Sequence, residues 1–354
     1  MTTPALTPSE LQATAATIAE AQLPNGMIPW FPSGHADPWN HVEAAMALDT
    51  AGWWDEAERA YRWLGATQHD DGSWFQYYLA EGVENYRLDA NCCAYVAVGA
   101  WHHYLVTGDA GFLKEQWPAV EAAIGFALRL QQPGGEILWC IEADGSPGRF
   151  ALLTASSSVY FSLRCAVAAA EALGLERPEW EVAAGSLAHA VSQRPEAFEP
   201  KNRWAMDWYY PVLSGAVTGA PARSRLHERW GEFVMEGRGV RCVDDRPWVT
   251  VAETAECVMA LHAAGLTEAA RRLLGWTRQL RHSDGSYWTG RVYPQEVNFP
   301  GGERSTYTAA AVILAAAALD GLGPAAGLFG GAGLPAGLDL AMDSEAVGDP
   351  AQHP

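Results

Sequence analysis

The stretch Gln68-His-Asp-Asp-Gly72-Ser-Trp74 occurs in three further versions along this chain, and this repetition indicates the fold. Each version follows an amphipathic helical stretch, and its Asn, Asp and Gly residues favour a tight turn. The aromatic residue then opens a loop that leads to another helix. A period of about 45 to 70 residues predicts repeated helical hairpins. The other versions are Gln22–Gly26 leading to Trp30, Gln131–Gly135 leading to Trp139, and Arg281–Gly285 leading to Trp288.

The helices that precede these turns have one apolar face. Ala57, Ala60, Tyr61 and Leu64 are spaced three and four residues apart, as on one side of a helix. The segment Thr7-Pro-Ser-Glu10 has the pattern of a helix start, with a capping threonine, an early proline and a glutamate at the third position. This pattern predicts an outer ring of helices.

The helices between them are apolar on nearly all sides and rich in alanine, which is typical of helices buried all round. Six such helices inside six outer ones predict an all-α fold, the (α/α)6 barrel or six-hairpin toroid. The N-terminal helix would close the circle against the last inner helix, and the aromatic loops would share one end. The predicted inner helices are Trp39–Ala51, Leu88–Tyr104, Ser157–Leu173, Met206–Gly215, Val251–Ala263 and Ser305–Leu319.

Composition limits the classes of function. The chain has 354 residues and a net charge of −19, and it has no run of Lys or Arg, which argues against nucleic-acid or anionic-membrane partners. No apolar stretch is long enough to span a membrane, and Met1–Pro4 lacks the start of a secretory signal. Six cysteines without CxxC spacing favour reduced thiols. We therefore expect a cytoplasmic protein, with its oligomeric state open.

The composition changes after about residue 322. Gly, Ala and Pro dominate from Gly323 to Pro335, and an acidic end follows. Such segments bury too little apolar surface to fold alone. The sequence thus predicts a toroidal catalytic domain over residues 1–322 and a disordered tail over 323–354.

Acids and aromatic residues cluster where the inner helices should begin. Single acids there have a structural explanation as helix caps or first-turn residues, but sixteen Trp and twelve Tyr suit a site where flat apolar faces meet hydroxyl groups. We therefore predict a small-molecule carbohydrate site. The clusters are Trp39-Asn-His41 with Glu43; Tyr86-Arg-Leu-Asp89 with Asn91; Glu142, Thr154 and Ser156–Ser158; Asp207–Tyr210; Asp244–Trp248 with Glu253 and Glu256; and Glu296 with Glu303.

Carboxylates of this kind can hydrolyse a glycosidic bond. One carboxylic acid protonates the leaving oxygen, and a second carboxylate activates water on the opposite face when the product has inverted configuration. A Trp-lined, apolar cup raises the pKa of the acid by disfavouring its charged form. Residue spacing leaves open which two acids serve.

Three stretches resemble glycoside hydrolase family 15, the glucoamylase and trehalase family. They are Asp37–Gly52 with Gln68–Trp74, Leu88–Trp139, and Tyr293–Pro300 with Thr306–Ala311. The resemblance implies an inverting glycosidase without metal or cofactor, with Glu142 as general acid and Glu296 as general base. Where that family has an Arg-Asp pair that holds the sugar, this chain has Asn40-His41. The residues predicted to bind the substrate are Trp39, His41, Trp74, Arg87, Asp89, Asp207, Trp208, Asp245, Trp248 and Glu303.

Two other functions remain as alternatives. The Gln-x-x-Asp-Gly-Ser-Trp pattern is also similar to the QW motif of terpene cyclases and prenyltransferases, whose acidic motif has its nearest match in Val243-Asp244-Asp245. Cys257 and His262 share one inner helix, but a third zinc ligand at metal-binding spacing is missing. The other alternative is a toroid that binds or epimerises a sugar without hydrolysing it.

Overall fold

The computed structural model describes residues 4–338, which form fourteen α-helices and nine short strands. The helices account for the barrel, and the strands lie in the loops between them. In chain order the helices are α1 (Pro8–Ala21), α2 (Pro38–Ala51), α3 (Trp54–Thr67), α4 (Ala90–Ala94), α5 (Val96–Thr107), α6 (Ala110–Leu128), α7 (Leu153–Ala172), α8 (Pro178–Gln193), α9 (Ala205–Leu213), α10 (Gly219–Glu228), α11 (Trp230–Phe233), α12 (Val251–Ala263), α13 (Thr267–Thr277) and α14 (Thr306–Asp320).

The predicted inner ring is confirmed. Helices α2, α5, α7, α9, α12 and α14 pack in that order, and α14 returns to α2. Their side chains are buried almost all round, as in α14, where every residue from Thr308 to Leu319 is buried. The second inner helix differs from the prediction, because residues 88–89 form a strand and the helix is divided at Tyr95. The (α/α)6 barrel therefore follows from the Ala-rich pattern.

The outer helices α1, α3, α6, α8, α10 and α13 surround this ring, and the four repeated turns join all of them except α10 to a neighbouring outer helix. In the turn after α3, the Gln68 side-chain amide donates to the carbonyls of Gly72 and of Ala119 in α6, at 3.1 and 2.9 Å. Gly72 has φ +87°, and a Cβ there would collide with the Ala122 carbonyl. The repeated sequence thus fastens one outer helix to the next.

The fourth turn closes the ring. Gly285 lies against Ala13 of α1, and the Thr14 hydroxyl donates to the Gly285 carbonyl at 2.8 Å. The start of α1 is fixed by the predicted capping box between Thr7 and Glu10. The N-terminal helix therefore completes the toroid, as the sequence predicts.

Replacing Gly72 by alanine tests this role of the repeat. We expect Gly72→Ala to lower the free energy of unfolding by about 2–4 kcal/mol, because the left-handed φ and the close Ala122 carbonyl both oppose a Cβ. Urea denaturation measures the change. Gly65→Ala is the matched control: Gly65 lies within α3 and faces open space, so alanine should stabilise by roughly 0.5–1 kcal/mol. Equal stability of Gly72→Ala and the wild type would contradict this role.

The strands lie in the loops that precede the inner helices. The last five form one antiparallel sheet in the order β5-β6-β7-β8-β9, and β3 pairs with β4. The second pairing joins Asp89 to Cys140 and so links the loops before α4 and α7. The strands are β1 (Tyr77–Leu79), β2 (Gly82–Asn85), β3 (Leu88–Asp89), β4 (Cys140–Ile141), β5 (Val234–Met235), β6 (Gly239–Arg241), β7 (Trp248–Thr250), β8 (Gly290–Val292) and β9 (Val297–Phe299).

The described part of the predicted tail is folded, which corrects the prediction for residues 323–338. Leu328 and Phe329 are buried, and the Phe329 ring stacks on Phe161 at 5.2 Å. The Arg164 guanidinium donates to the Pro335 carbonyl. These contacts with α7 hold in place a segment that composition alone marks as disordered. Residues 339–354, the rest of that prediction, lie outside the described residues.

Over residues 4–338, each helix is too short or too polar to cross a bilayer. All six cysteines are buried free thiols.

Candidate active site

Aromatic side chains line the barrel mouth, where the inner helices begin. Trp30 contacts Tyr77 and Tyr307 edge to face, with ring centroids 5.9 and 5.0 Å apart. Deeper in the mouth, Trp39 lies 5.8 Å from Tyr95 and 5.7 Å from Tyr210. Trp30, Trp39, Tyr77 and Tyr307 are only half-buried. These rings form an apolar wall against which a sugar could stack.

Two buried aspartates stand at the rim of this mouth. Asp37 caps α2 and accepts hydrogen bonds from the Asn40 backbone and amide and from the Trp30 indole. Asp89 caps α4 and accepts one from the Trp139 indole. Burial raises the pKa of both, that of Asp89 to about 6. Since all these groups donate, they favour the carboxylate form, which can accept hydrogen bonds from sugar hydroxyls.

A pair of buried glutamates lies deeper, one turn further along two inner helices. Glu43 of α2 accepts hydrogen bonds from the Trp39 indole and the Tyr95 hydroxyl at 3.1 and 3.3 Å, both on Oε1. Glu256 of α12 accepts one from the Tyr209 hydroxyl. Burial is the main cause that raises the pKa of both, to about 7 for Glu43, and repulsion from Glu43 adds to the shift of Glu256. The pair therefore favours holding a proton near neutral pH.

Glu253 lies one turn above Glu256 on the same helix. It is half-buried, and burial raises its pKa. Among the ion pairs of residues 4–338, none includes Glu253. A carboxylate that is accessible, partly desolvated and free of a cation is suited to take a proton from water.

The structure places the two acids predicted to be catalytic on different hairpins. Glu142 follows β4, its side chain is 39% exposed, and it pairs with Arg87 at 2.9 Å. Glu296 lies in the β8–β9 turn with φ +57°, is 55% exposed, and faces Arg238 at 3.7 Å. Both side chains thus face arginines on the protein surface. For Glu142 this is a poor setting for a general acid, because a neighbouring cation favours the charged form of a carboxyl group.

Some of the predicted binding residues do reach the mouth or its rim. Trp39 and Asp89 lie in it, and the Arg87 guanidinium covers the Trp139 ring at 4.8 Å. Trp248 is half-buried on β7, which leads into α12, and Glu303 is half-buried beside Thr289. Burial raises the pKa of Glu303.

Three other predicted binding residues belong to the core, which corrects their assignment. The His41 ring accepts from the Ile28 amide at 3.0 Å and donates to the Ala60 carbonyl at 2.9 Å. Burial lowers its pKa to about 4. The indoles of Trp74 and Trp208 donate to the carbonyls of Leu64 and Arg225. All three side chains pack between helices, and their ring nitrogens are already hydrogen-bonded to the backbone.

Asp207 and Asp245 also lie away from the aromatic mouth. Asp207 accepts from the Thr154 hydroxyl at 2.7 Å and shares an outer cavity with Lys201 and Arg225. Asp245 is half exposed and pairs with Arg203 at 2.9 Å. Their places at the start of α9 and before β7 make them candidates, but the direction of a side chain cannot be read from those places.

The sequence marks Glu43, Glu253 and Glu256 only as members of clusters. Each is a charged residue within an inner helix that is otherwise apolar, a position where an acid is costly. Because of that cost, the sequence could have favoured these three acids over the loop acids as candidate catalytic residues. Within residues 4–338, no group of three or more His, Cys, Asp or Glu side chains is arranged to hold a metal ion.

Comparison with known proteins gives one close relative. The chain is 51% identical over 338 residues to the MMP endo-(1,4)-3-O-methyl-alpha-D-mannosidase of Mycolicibacterium hassiacum, covering 96% of this chain and 94% of the relative. No family model matches the chain.

Solved structures share the fold at low identity. A wild-type glycosidase aligns with a TM-score of 0.68 at 15% identity, over 89% of this chain and 96% of its own. A GH63 mannosylglycerate hydrolase from Thermus thermophilus, in complex with glucose, aligns with 0.67 at 13% identity, over 86% and 99%. A D-mannose isomerase aligns with 0.67 at 12% identity, over 87% and 96%.

The six-hairpin barrel and its acid-lined mouth, together with this relative, define the protein as a glycoside hydrolase that acts on a carbohydrate. The chain belongs to the family of the MMP endo-(1,4)-3-O-methyl-alpha-D-mannosidase. This membership decides against the cyclase and the non-hydrolytic alternatives. The fold alone leaves the non-hydrolytic alternative open, because a D-mannose isomerase shares it.

Proposed function

We propose that this chain is an inverting endo-acting mannosidase that cleaves α-(1,4)-linked 3-O-methyl-mannose units within an oligosaccharide, with Glu253 as general base and Glu43 as general acid. The linkage and the sugar come from the name of the relative. The observation that carries the catalytic assignment is the contrast between half-buried Glu253, which has no ion-pair partner within residues 4–338, and buried Glu43, which accepts hydrogen bonds from the Trp39 indole and the Tyr95 hydroxyl of the mouth.

The reaction needs one proton delivered and one removed. Glu43 gives its proton to the glycosidic oxygen as the bond from that oxygen to the anomeric carbon breaks. Water attacks the anomeric carbon from the opposite face and passes a proton to Glu253. The product carries inverted configuration, and bulk water restores the two protonation states.

Glu43 is preferred to Glu256 as the acid because of their surroundings. The Trp39 indole that holds Glu43 is half-buried in the mouth, whereas the Tyr209 ring that holds Glu256 is fully buried. The second oxygen of Glu43 accepts no hydrogen bond from residues 4–338 and is free to carry the proton. Repulsion from Glu43 adds to the raised pKa of Glu256, so we assign Glu256 the role of a neutral neighbour beside the acid.

The wall and the rim suit a methylated sugar. Trp30, Trp39 and Tyr307 offer apolar faces for a pyranose ring and for O-methyl groups, which cannot donate hydrogen bonds. Asp37 and Asp89 offer carboxylate oxygens for the hydroxyls that remain. The preference for a 3-O-methyl group would thus come from the aromatic wall. The two aspartates at the rim would orient the sugar.

A substrate panel tests this function. The purified enzyme is incubated with α-(1,4)-linked oligosaccharides of 3-O-methylmannose, of mannose and of glucose, and products are separated by mass spectrometry. We expect internal cleavage of the methylated oligosaccharide at the highest kcat/KM. Faster turnover of the glucose series, or release of single terminal sugars only, would overturn the proposal.

The resemblance to glycoside hydrolase family 15 supplies the competing pair, Glu142 and Glu296. Under that assignment Glu296→Gln lowers kcat steeply with an unchanged melting temperature, and Glu253→Gln keeps its activity. Under ours the two results are exchanged. Comparing the two variants on one substrate therefore decides between the pairs.

A further inference from the structure

We propose that a cavity on the outer side of the β3–β4 ladder is a second sugar subsite, which binds a pyranose unit of the same oligosaccharide beyond the unit held in the mouth. The cavity has a volume of about 530 Å³ and lies between the turn that contains Asp70 and the loop that contains Glu142. The proposal rests on the proposed function, because it needs an extended glycan. Tyr86, Phe75, Leu88 and Ile141 also line the cavity.

The β3–β4 ladder connects this cavity to the mouth. Successive strand residues point to opposite faces, and Asp89 contacts Trp139 in the mouth while its neighbour Leu88 lines the cavity. On the partner strand, Ile141 pairs with Leu88 and lines the cavity as well. The two sites are thus the two faces of one two-stranded ladder, and a glycan could pass over its edge.

Arg87 spans that edge. Its guanidinium covers the Trp139 ring at 4.8 Å, and its Nε donates to the Glu142 carboxylate at 2.9 Å. The side-chain oxygen of Gln76 accepts from Arg87 as well, at 3.4 Å. One side chain therefore contacts the mouth and the cavity together and offers further N–H groups to a passing sugar.

The lining has the chemistry of a sugar site. Tyr86 is 55% exposed, and the edge-to-face contact of its ring with Phe75 at 4.9 Å leaves a large flat surface in solvent. An exposed tyrosine of this size forms a stacking face for a pyranose. Beside it, the Glu142 carboxylate pairs with Arg87 and can accept further hydrogen bonds, for example from a sugar hydroxyl. Glu142 thus acquires a binding role that does not require it to be protonated.

Replacing Tyr86 by alanine tests the subsite. For an α-(1,4)-linked methylmannose tetrasaccharide we expect KM to rise about 3- to 10-fold, as for the loss of one stacked ring, with kcat little changed. For a p-nitrophenyl α-mannoside, which is too short to reach the cavity, KM should stay the same. Tyr86→Phe keeps the ring and should restore the tetrasaccharide KM. The matched control is Trp54→Ala, which removes another half-exposed aromatic residue, on α3.

The outcomes separate this inference from the proposed function. An unchanged tetrasaccharide KM in Tyr86→Ala, or an equal rise for both substrates, overturns the subsite while hydrolysis stands. If the wild type hydrolyses no α-mannoside, the proposed function fails, and calorimetric binding of the same tetrasaccharide decides the subsite. Weaker binding by Tyr86→Ala then supports it, and equal binding overturns it.

Discussion

Glu253→Gln should lower kcat for hydrolysis of the methylmannose oligosaccharide by about 10²- to 10⁴-fold, the usual contribution of a general base. Glutamine has nearly the same shape but cannot take a proton from water. Because Glu253 is half-buried and has no ion-pair partner within residues 4–338, the change should leave the melting temperature near that of the wild type. Steady-state kinetics and thermal unfolding measure the two effects.

The reason for the loss can be tested with azide. In Glu253→Ala, a small anionic nucleophile can enter the space of the lost carboxylate and attack without giving up a proton. We expect azide to restore turnover and to form a glycosyl azide of inverted configuration, in place of the free sugar. Glu296→Ala, treated in the same way, is the matched control. Rescue of a Glu296 variant together with normal activity of Glu253→Gln would refute our assignment.

Glu43→Gln should lose activity in a way that depends on the leaving group. With the natural sugar leaving group we expect kcat to fall by about 10²- to 10⁴-fold, because no proton reaches the departing oxygen. With 2,4-dinitrophenyl α-mannoside the fall should be much smaller, since that phenolate leaves without protonation. The amide can still accept from the Trp39 indole and the Tyr95 hydroxyl, so the wall should keep its shape.

This dependence distinguishes an acid from a base. Glu253→Gln should be impaired on both leaving groups, since water must be activated in either reaction. Glu142→Gln is compared on the same two substrates, because the family resemblance names it as the acid. Equal losses on both substrates in Glu43→Gln, or selective sparing of the dinitrophenyl substrate in Glu142→Gln, would contradict the role of Glu43.

The barrel could be predicted from sequence because its signals are local and repeated. Gly72 and Gly285 occur in the same turn pattern, and both lie against the backbone of a neighbouring outer helix. Alanine-rich inner helices can be recognised without tertiary information. The folded segment around Leu328 was not predicted, because its stability comes from a long-range contact with α7 that composition does not record.

The location of the site could be predicted, but not the identity of its acids. The sequence indicated the loops before the inner helices, and Trp39 and Asp89 lie there. Whether a loop acid faces the mouth depends on strand pairing and on partners distant in sequence, as when Arg87 draws Glu142 to the outer side. The same limit applies to His41 and Trp208, whose core contacts come from other parts of the chain.

In the proposed reaction, two carboxylates in the aromatic mouth hydrolyse an α-mannoside with a water molecule as the direct nucleophile. Proton NMR can follow the anomeric signals during the first minutes of hydrolysis, before mutarotation mixes the products. We predict that the β-anomer of the new reducing end appears first and that the α-anomer follows at the rate of mutarotation. First appearance of the α-anomer would rule out this reaction, because it would require a covalent intermediate and a nucleophilic carboxylate where we place a general base.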